Sequence, residues 1–223
     1  FFNYYTSFKT PSLYQLFSPY GNLALRPEQG KTFEIGLEQN MGNFYVRLVG
    51  FQNDVKDGIV FQSISVEPYG KYGNVSQQTT QGLEAELSFL KKKWTGNISY
   101  TYLSGTMQNK FDGKDSTYSS LIRRPSNQLQ ARLIFNAHSK LNVSFTGQFV
   151  GERKDYFYDE SIYSTVPKIL KSYLWTELQL GYQMTKNLNA SLMIKNLLGQ
   201  DVIELFGYSG QGRNIQASLY WKF

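Results

Sequence analysis

Apolar and polar residues take turns along most of this chain with a period of two. After Thr32, the residues Phe33, Ile35 and Leu37 are apolar, with Glu34, Gly36 and Glu38 between and beside them. Leu83, Ala85, Leu87 and Phe89 alternate with Glu84, Glu86 and Ser88, and Leu129, Ala131, Leu133 and Phe135 with Gln128, Gln130, Arg132 and Asn136. The same reading holds around Trp94 to Tyr102, Leu141 to Phe149, Leu178 to Met184, Leu188 to Ile194 and Ile215 to Phe223. Successive side chains on a strand leave the backbone on opposite faces, so each run predicts a strand with one apolar and one polar face. About nine complete strands result, with the end of a tenth at Phe1 to Tyr5.

The connections come in two kinds that alternate. Short polar turns are predicted near Met41 to Asn43, Leu90 to Lys93, Ala137 to Lys140 and Thr185 to Asn187. Long segments lie between them: Thr6 to Gly30, Ser63 to Ser76, Met107 to Ser126, Lys154 to Ser172 and Leu198 to Gly212. Short turns at one end of a meander and long loops at the other are the pattern of an outer-membrane β-barrel. A soluble up-and-down barrel also alternates, but encloses its apolar set around a ligand. Run lengths near the roughly 9 to 11 residues that cross a bilayer at a tilt favour the membrane. So do the aromatics at run ends, Phe44, Trp94, Phe135, Trp175, Trp221 and Phe223, which suit interfacial girdles.

Composition narrows the chemistry. The 223 residues are 41% apolar and 16% aromatic, with no cysteine and one histidine; mean hydropathy is -0.41. No stretch approaches the roughly 18 consecutive apolar residues of a spanning helix, a test that leaves a barrel open. Disulfides, thiolate zinc sites and cysteine nucleophiles are excluded, and His138 alone could serve a histidine-based triad. The net charge of +6 is spread along the chain and does not suggest nucleic-acid binding. The chain opens at Phe1-Phe2-Asn3-Tyr4-Tyr5 with no signal-peptide pattern, which reads as the middle of a longer polypeptide or a processed piece.

Phe8-Lys9-Thr10-Pro11-Ser12-Leu13, Gly21-Asn22 and Leu25-Arg26-Pro27-Glu28 precede a strand, and Asn53-Asp54, Gln81-Gly82-Leu83-Glu84, Arg123-Arg124-Pro125, Lys195-Asn196-Leu197-Leu198, Gly212-Arg213 and a terminal Phe223 follow in order. This series resembles the TonB-dependent outer-membrane receptors over the whole chain, and within them the cobalamin and siderophore receptors. The resemblance implies an all-β, antiparallel transmembrane barrel segment, residues 1–223 supplying nine or ten strands of a 22-stranded barrel in the bacterial outer membrane. It further implies TonB-dependent transport of a scarce bulky nutrient, cobalamin first and an iron siderophore second. The family's plug and TonB-contacting box have no counterpart in these residues. Implied partners are therefore outer-membrane lipid and lipopolysaccharide, the remaining strands and plug from the same receptor or a separate chain, TonB through that plug, the barrel assembly machinery and a small-molecule ligand. The alternative is a passive pore or structural barrel without a plug. Leu23 stands where the family usually has proline, and Leu198 and Val202 where it has aromatics.

No enzyme, cofactor or metal site is expected. His138 falls in a predicted turn with no acid beside it, and the glycine-rich stretch Gly207 to Arg213 precedes a strand rather than the helix a phosphate cradle needs. Asp112 and Asp115 have the look of a calcium loop but lack its closing glutamate. Arg123 and Arg124 suit a lipopolysaccharide phosphate, an anionic ligand or a solvated strand start. For ligand capture the candidates are the loop tyrosines Tyr69, Tyr72, Tyr156, Tyr158 and Tyr208, with Arg213 near the loop-side rim. A tyrosine offers a broad apolar face with a hydrogen-bonding tip, and near a membrane it serves equally as a girdle residue. Trp221 and Phe223 resemble the signal read by the assembly machinery, and also suit interfacial anchors.

Overall fold

Strand alternation governs the computed structural model, which describes residues 1–64, 66–111, 114–118 and 121–223. The elements are β1 (Phe2–Lys9), α1 (Leu13–Phe17), β2 (Glu28–Met41), β3 (Phe44–Ser63), β4 (Gly70–Lys91), β5 (Trp94–Phe111), β6 (Lys114–Tyr118), β7 (Asn127–His138), β8 (Leu141–Val150), β9 (Arg153–Asp159), β10 (Ser164–Leu170), β11 (Tyr173–Gln183), β12 (Leu188–Lys195) and β13 (Asn214–Trp221). Ten of them follow one another in a single sheet in the order β1-β2-β3-β4-β5-β7-β8-β11-β12-β13; β6 pairs with β5, and β9 with β10 forms a separate hairpin. All four short turns fall where the alternation placed them.

The long segments are more structured than expected. β1 continues through Lys9, which pairs with Glu28, so the first strand does not stop at Tyr5. β3 runs to Ser63 and β4 begins at Gly70, and β3, β4 and β5 reach 20, 22 and 18 residues, well beyond a bilayer crossing. Residues 153–170 form the β9–β10 hairpin where a loop was expected. One helical turn also breaks the all-strand expectation. At α1, Ser12 Oγ accepts from Gln15 N–H at 3.2 Å, and Gln15 Oε1 accepts from Ser12 N–H at 2.8 Å. This capping box is why a five-residue helix starts at Leu13.

Register turns the alternation into two faces. Gly96, Leu133, Phe145, Leu178, Ile194 and Ile215 stand in one row across β5, β7, β8, β11, β12 and β13. The next row is Asn97, Arg132, Thr146, Glu177, Lys195 and Asn214. Side chains of the polar face bond one another: Arg47 pairs with Glu38 at 3.1 Å and Glu84 at 3.5 Å, and Asn97 donates to Glu86 at 2.8 Å. The apolar face has no protein cover, with Phe145 41% and Leu219 74% exposed. Only six apolar side chains are buried among the described residues: Val49, Ile59, Leu121, Val150, Leu170 and Val202. A water-soluble domain of this size buries most of its apolar surface, so this uncovered band is built for hydrocarbon.

Two compact units divide the chain. The first comprises Phe1–Gly36, Val49–Leu83 and Leu103–Leu121. In it, Asn74 holds the segment ahead of β2, accepting from Arg26 N–H at 2.7 Å and donating to the carbonyls of Arg26 and Asp57 at 2.9 and 2.7 Å. Arg26 pairs with Asp57 at 2.6 Å, and Asn22 donates to the Tyr72 carbonyl at 3.0 Å. The second unit comprises Leu37–Leu48, Glu84–Tyr102 and Ile122–Phe223.

Candidate ligand-capture surface at the long-loop end

In the second unit the long connections are tied together around a carboxylate. Asp155, on β9, is fully buried. Its Oδ1 accepts from Arg123 Nε at 2.7 Å and from Tyr156 N–H at 2.8 Å, and its Oδ2 from Phe206 N–H at 3.0 Å. Burial alone pushes this carboxyl up. The Phe206 N–H, the Arg123 guanidinium and the Tyr156 N–H outweigh it, holding Asp155 below its ordinary 3.8. Arg123 has φ +60° and donates its N–H to the Lys154 carbonyl at 2.8 Å, so three connections converge here. Arg123 is thus neither a solvated strand start nor a bare anion contact. The Phe206 ring lies edge-on to Phe157 at 5.0 Å and beneath Lys168 Nζ at 4.8 Å.

Arg153, two residues before Asp155, extends the tie. It is 6% exposed, donates to the carbonyls of Lys171 and Ile203 at 3.3 and 3.1 Å, and lies 5.0 Å over the Tyr173 ring. The loop after β12 closes on Asn196, buried at φ +50°. Its Oδ1 accepts from Gln200 N–H at 2.9 Å, and its Nδ2 donates to the carbonyls of Gln200 and Gln211 at 2.8 and 3.2 Å. Asparagine suits this place because it tolerates the left-handed region and carries both a donor and an acceptor.

Between these ties, Gln148, Tyr173, Trp175, Val202, Glu204 and Gln211 line a cavity of about 290 Å³. Trp175 stands in register with Gln148, which is paired with Gln130, and its Nε1 donates to Glu177 at 2.9 Å. It therefore belongs to the polar face and not to a lipid girdle, a correction to its reading as a run-end aromatic. Tyr173 donates to Glu204 at 3.4 Å. Two aromatic planes flanked by amides and one carboxylate can stack a large semi-polar molecule and hydrogen-bond its edge.

The expected ligand residues divide between the units. In the first, Tyr69 is exposed in the β3–β4 turn at φ +61°, while Tyr72 lies within β4, edge-on to Phe61 at 5.4 Å and to Tyr14 at 6.2 Å. In the second, Tyr156 and Tyr158 lie on β9, in the hairpin of the long connection between β8 and β11, Tyr208 lines a cavity of about 350 Å³ within residues 200–212, and Arg213 is exposed with its guanidinium over Gly199. Sequence reasoning misses Tyr173 and Trp175 as lining residues of this cavity, since an aromatic at the end of a run looks alike on either face. Trp221 ends β13 and stacks on Phe223 at 6.4 Å. His138 ends β7, exposed, beside Ser139 at 3.2 Å. Asp112 and the Asp115 side chain lie outside the described residues.

An uncovered apolar face, a polar face with side chains bonded across strands and long loops tied to one another are what a receptor barrel wall requires, and residues 1–197 match the family described as TonB dependent receptor-like, beta-barrel. The chain belongs to the TonB-dependent receptor β-barrel family. This is a family of outer-membrane receptors and not of enzymes. The pyoverdine outer membrane receptor FpvA from Pseudomonas aeruginosa PAO1 superposes with a TM-score of 0.77 at 22% identity, covering 99% of this chain and 33% of that one. The ferric-catecholate import receptor Fiu from E. coli K12 gives 0.76 at 20%, covering 100% and 32%. The siderophore receptor PirA from Acinetobacter baumannii gives 0.78 at 19%, covering 100% and 38%. At these identities the likeness is one of fold. The chain spans about a third of each compared receptor. On this family's barrel the long-loop end faces outward, so the cavity at Trp175 stands on the lumenal face toward the cell exterior.

Proposed function

We propose that this chain forms the C-terminal portion of the wall and the external loops of a receptor for TonB-dependent uptake of a bulky iron chelate, a siderophore. The observation that carries the reading is the lumenal cavity at the loop end, with Trp175 and Tyr173 presented beside Gln148, Gln211 and Glu204. Cobalamin, favoured from motif spacing, gains no support, because the receptors named above are described by pyoverdine, ferric catecholate and siderophore. The plug, the TonB contact and the remaining strands belong to polypeptide other than residues 1–223. Tyr158, Tyr208 and Arg213 extend the capture surface as exposed groups around the same loops.

The test uses the full receptor in an iron-limited strain. Trp175→Ala with Tyr173→Ala is expected to reduce siderophore-iron uptake by about tenfold, as loss of a stacked aromatic contact does. Barrel abundance and heat-modifiable gel mobility stay at wild-type levels. Uptake that persists without TonB would mark a passive pore, and a selective loss of cobalamin uptake would reassign the ligand.

A further inference from the structure

The opposite end of the second unit carries an unexpected charge pattern. Its turns contain Lys91, Lys92, Lys93, Lys140, Lys186 and Lys222, and no aspartate or glutamate occurs in residues 40–43, 90–93, 137–140, 184–187 or 222–223. All six lysines are exposed. None has a carboxylate partner among the described residues, whereas Lys9, Arg26, Arg47 and Arg123 all do. Backbone hydrogen bonds join these turns into one rim: Leu90 N–H to Asn43 at 2.9 Å, Asn136 N–H to Lys93 at 2.8 Å, Gln183 N–H to Lys140 at 2.8 Å and Lys222 N–H to Asn187 at 2.9 Å. The charges are therefore spatial neighbours.

Aromatics mark the depth of this rim. Trp94 stacks on Phe135 at 4.3 Å, Phe44 meets Phe89 at 6.2 Å, and Trp221 stacks on Phe223 at 6.4 Å. Trp94 and Phe135 stand in the apolar row with Val143, Leu180, Leu192 and Ala217. Aromatic belts settle at the headgroup level, and the lysines lie just beyond. Six ammonium groups at phosphate depth, of which Lys93 also donates to the Ala137 carbonyl at 2.8 Å, fit a lipid surface beside an apolar face better than a folded protein.

We propose that this basic rim binds the phosphate headgroups of anionic phospholipid in the periplasmic leaflet. The proposal rests on the reading of the short-turn end as periplasmic. Neutralising one lysine near a charged surface weakens association by about fivefold. The full receptor is reconstituted in phosphatidylethanolamine vesicles with and without phosphatidylglycerol, and the retained lipid is counted by native mass spectrometry. Wild type is expected to retain phosphatidylglycerol in preference, in a manner that falls with salt. Combined Lys91→Gln, Lys92→Gln and Lys93→Gln should reduce retention by on the order of a hundredfold, and the corresponding arginine substitutions should preserve it. Equal retention by wild type and the glutamine variant overturns the proposal. So does lost uptake with unchanged lipid retention, which would assign the rim to an acidic protein. If the glutamine variant fails to fold, wild-type retention decides, and a salt-insensitive or non-selective result is again negative. Lys92→Cys separates the underlying reading: thiol labelling by an impermeant reagent only after outer-membrane permeabilisation is expected, and labelling of intact cells would reverse the orientation itself.

Discussion

Removing the Asp155 carboxylate should release the external loops while leaving the wall intact. In Asp155→Ala the N–H groups of Phe206 and Tyr156 lose their acceptor at a fully buried position. Each stranded buried donor costs about 1 to 2 kcal/mol. Arg123, whose side chain is 51% exposed, turns to water and adds little. The sum is about 3 kcal/mol, so opening of the contact between the hairpin and the loop after β12 becomes on the order of a hundredfold more frequent. Hydrogen exchange on the full receptor reads this directly, in peptides covering 153–159 and 203–208. Asp155→Asn should fall between, since its amide nitrogen must face at least one donor. Strand β12 should keep wild-type protection. The reasoning fails if Phe206 exchanges at the wild-type rate, or if β12 loosens as much as the loops.

The same carboxylate gives a pH dependence. Its folded value is below 3.8, so its contribution is fully present above the unfolded value and is lost as pH falls from about 3.8 through the folded one; exchange at Phe206, corrected for its intrinsic pH dependence, should be flat from neutrality to about pH 5 and rise below. Asn196→Ala removes three hydrogen bonds and puts alanine, which tolerates the left-handed region less well than asparagine, at φ +50°, for a local loss of about 3 to 4 kcal/mol; proteolysis should then nick residues 198–212 first, and resistance equal to wild type would contradict the tie. Arginine at Leu133, Phe145 or Leu192 should cost about 2 to 4 kcal/mol in a bilayer folding assay, while arginine at Gln130, Thr146 or Ser191 is tolerated; equal behaviour of the two sets would reverse the faces.

Period-two patterning was legible wherever lipid wets one side of a strand and water the other. That contrast marked Leu133 against Arg132 and Phe145 against Thr146, and with the short turns it identified the wall. Beyond the membrane both faces of a strand are wet, so the outer halves of β3, β4 and β5 and the β9–β10 hairpin lost their signature while the backbone ladder continued. Trp175 shows a second limit: an aromatic at a run end has the same sequence context on either face, and only its register with Gln148 places it toward the lumen. Asp155 and Phe206 are 51 residues apart, and no local spacing links them. The sequence by itself determined the strands, their two faces and the family, because those follow from local periodicity and ordered motifs. Tertiary structure alone decided which loops are tied and which aromatics share a cavity, because a buried carboxylate selects its donors by position in space.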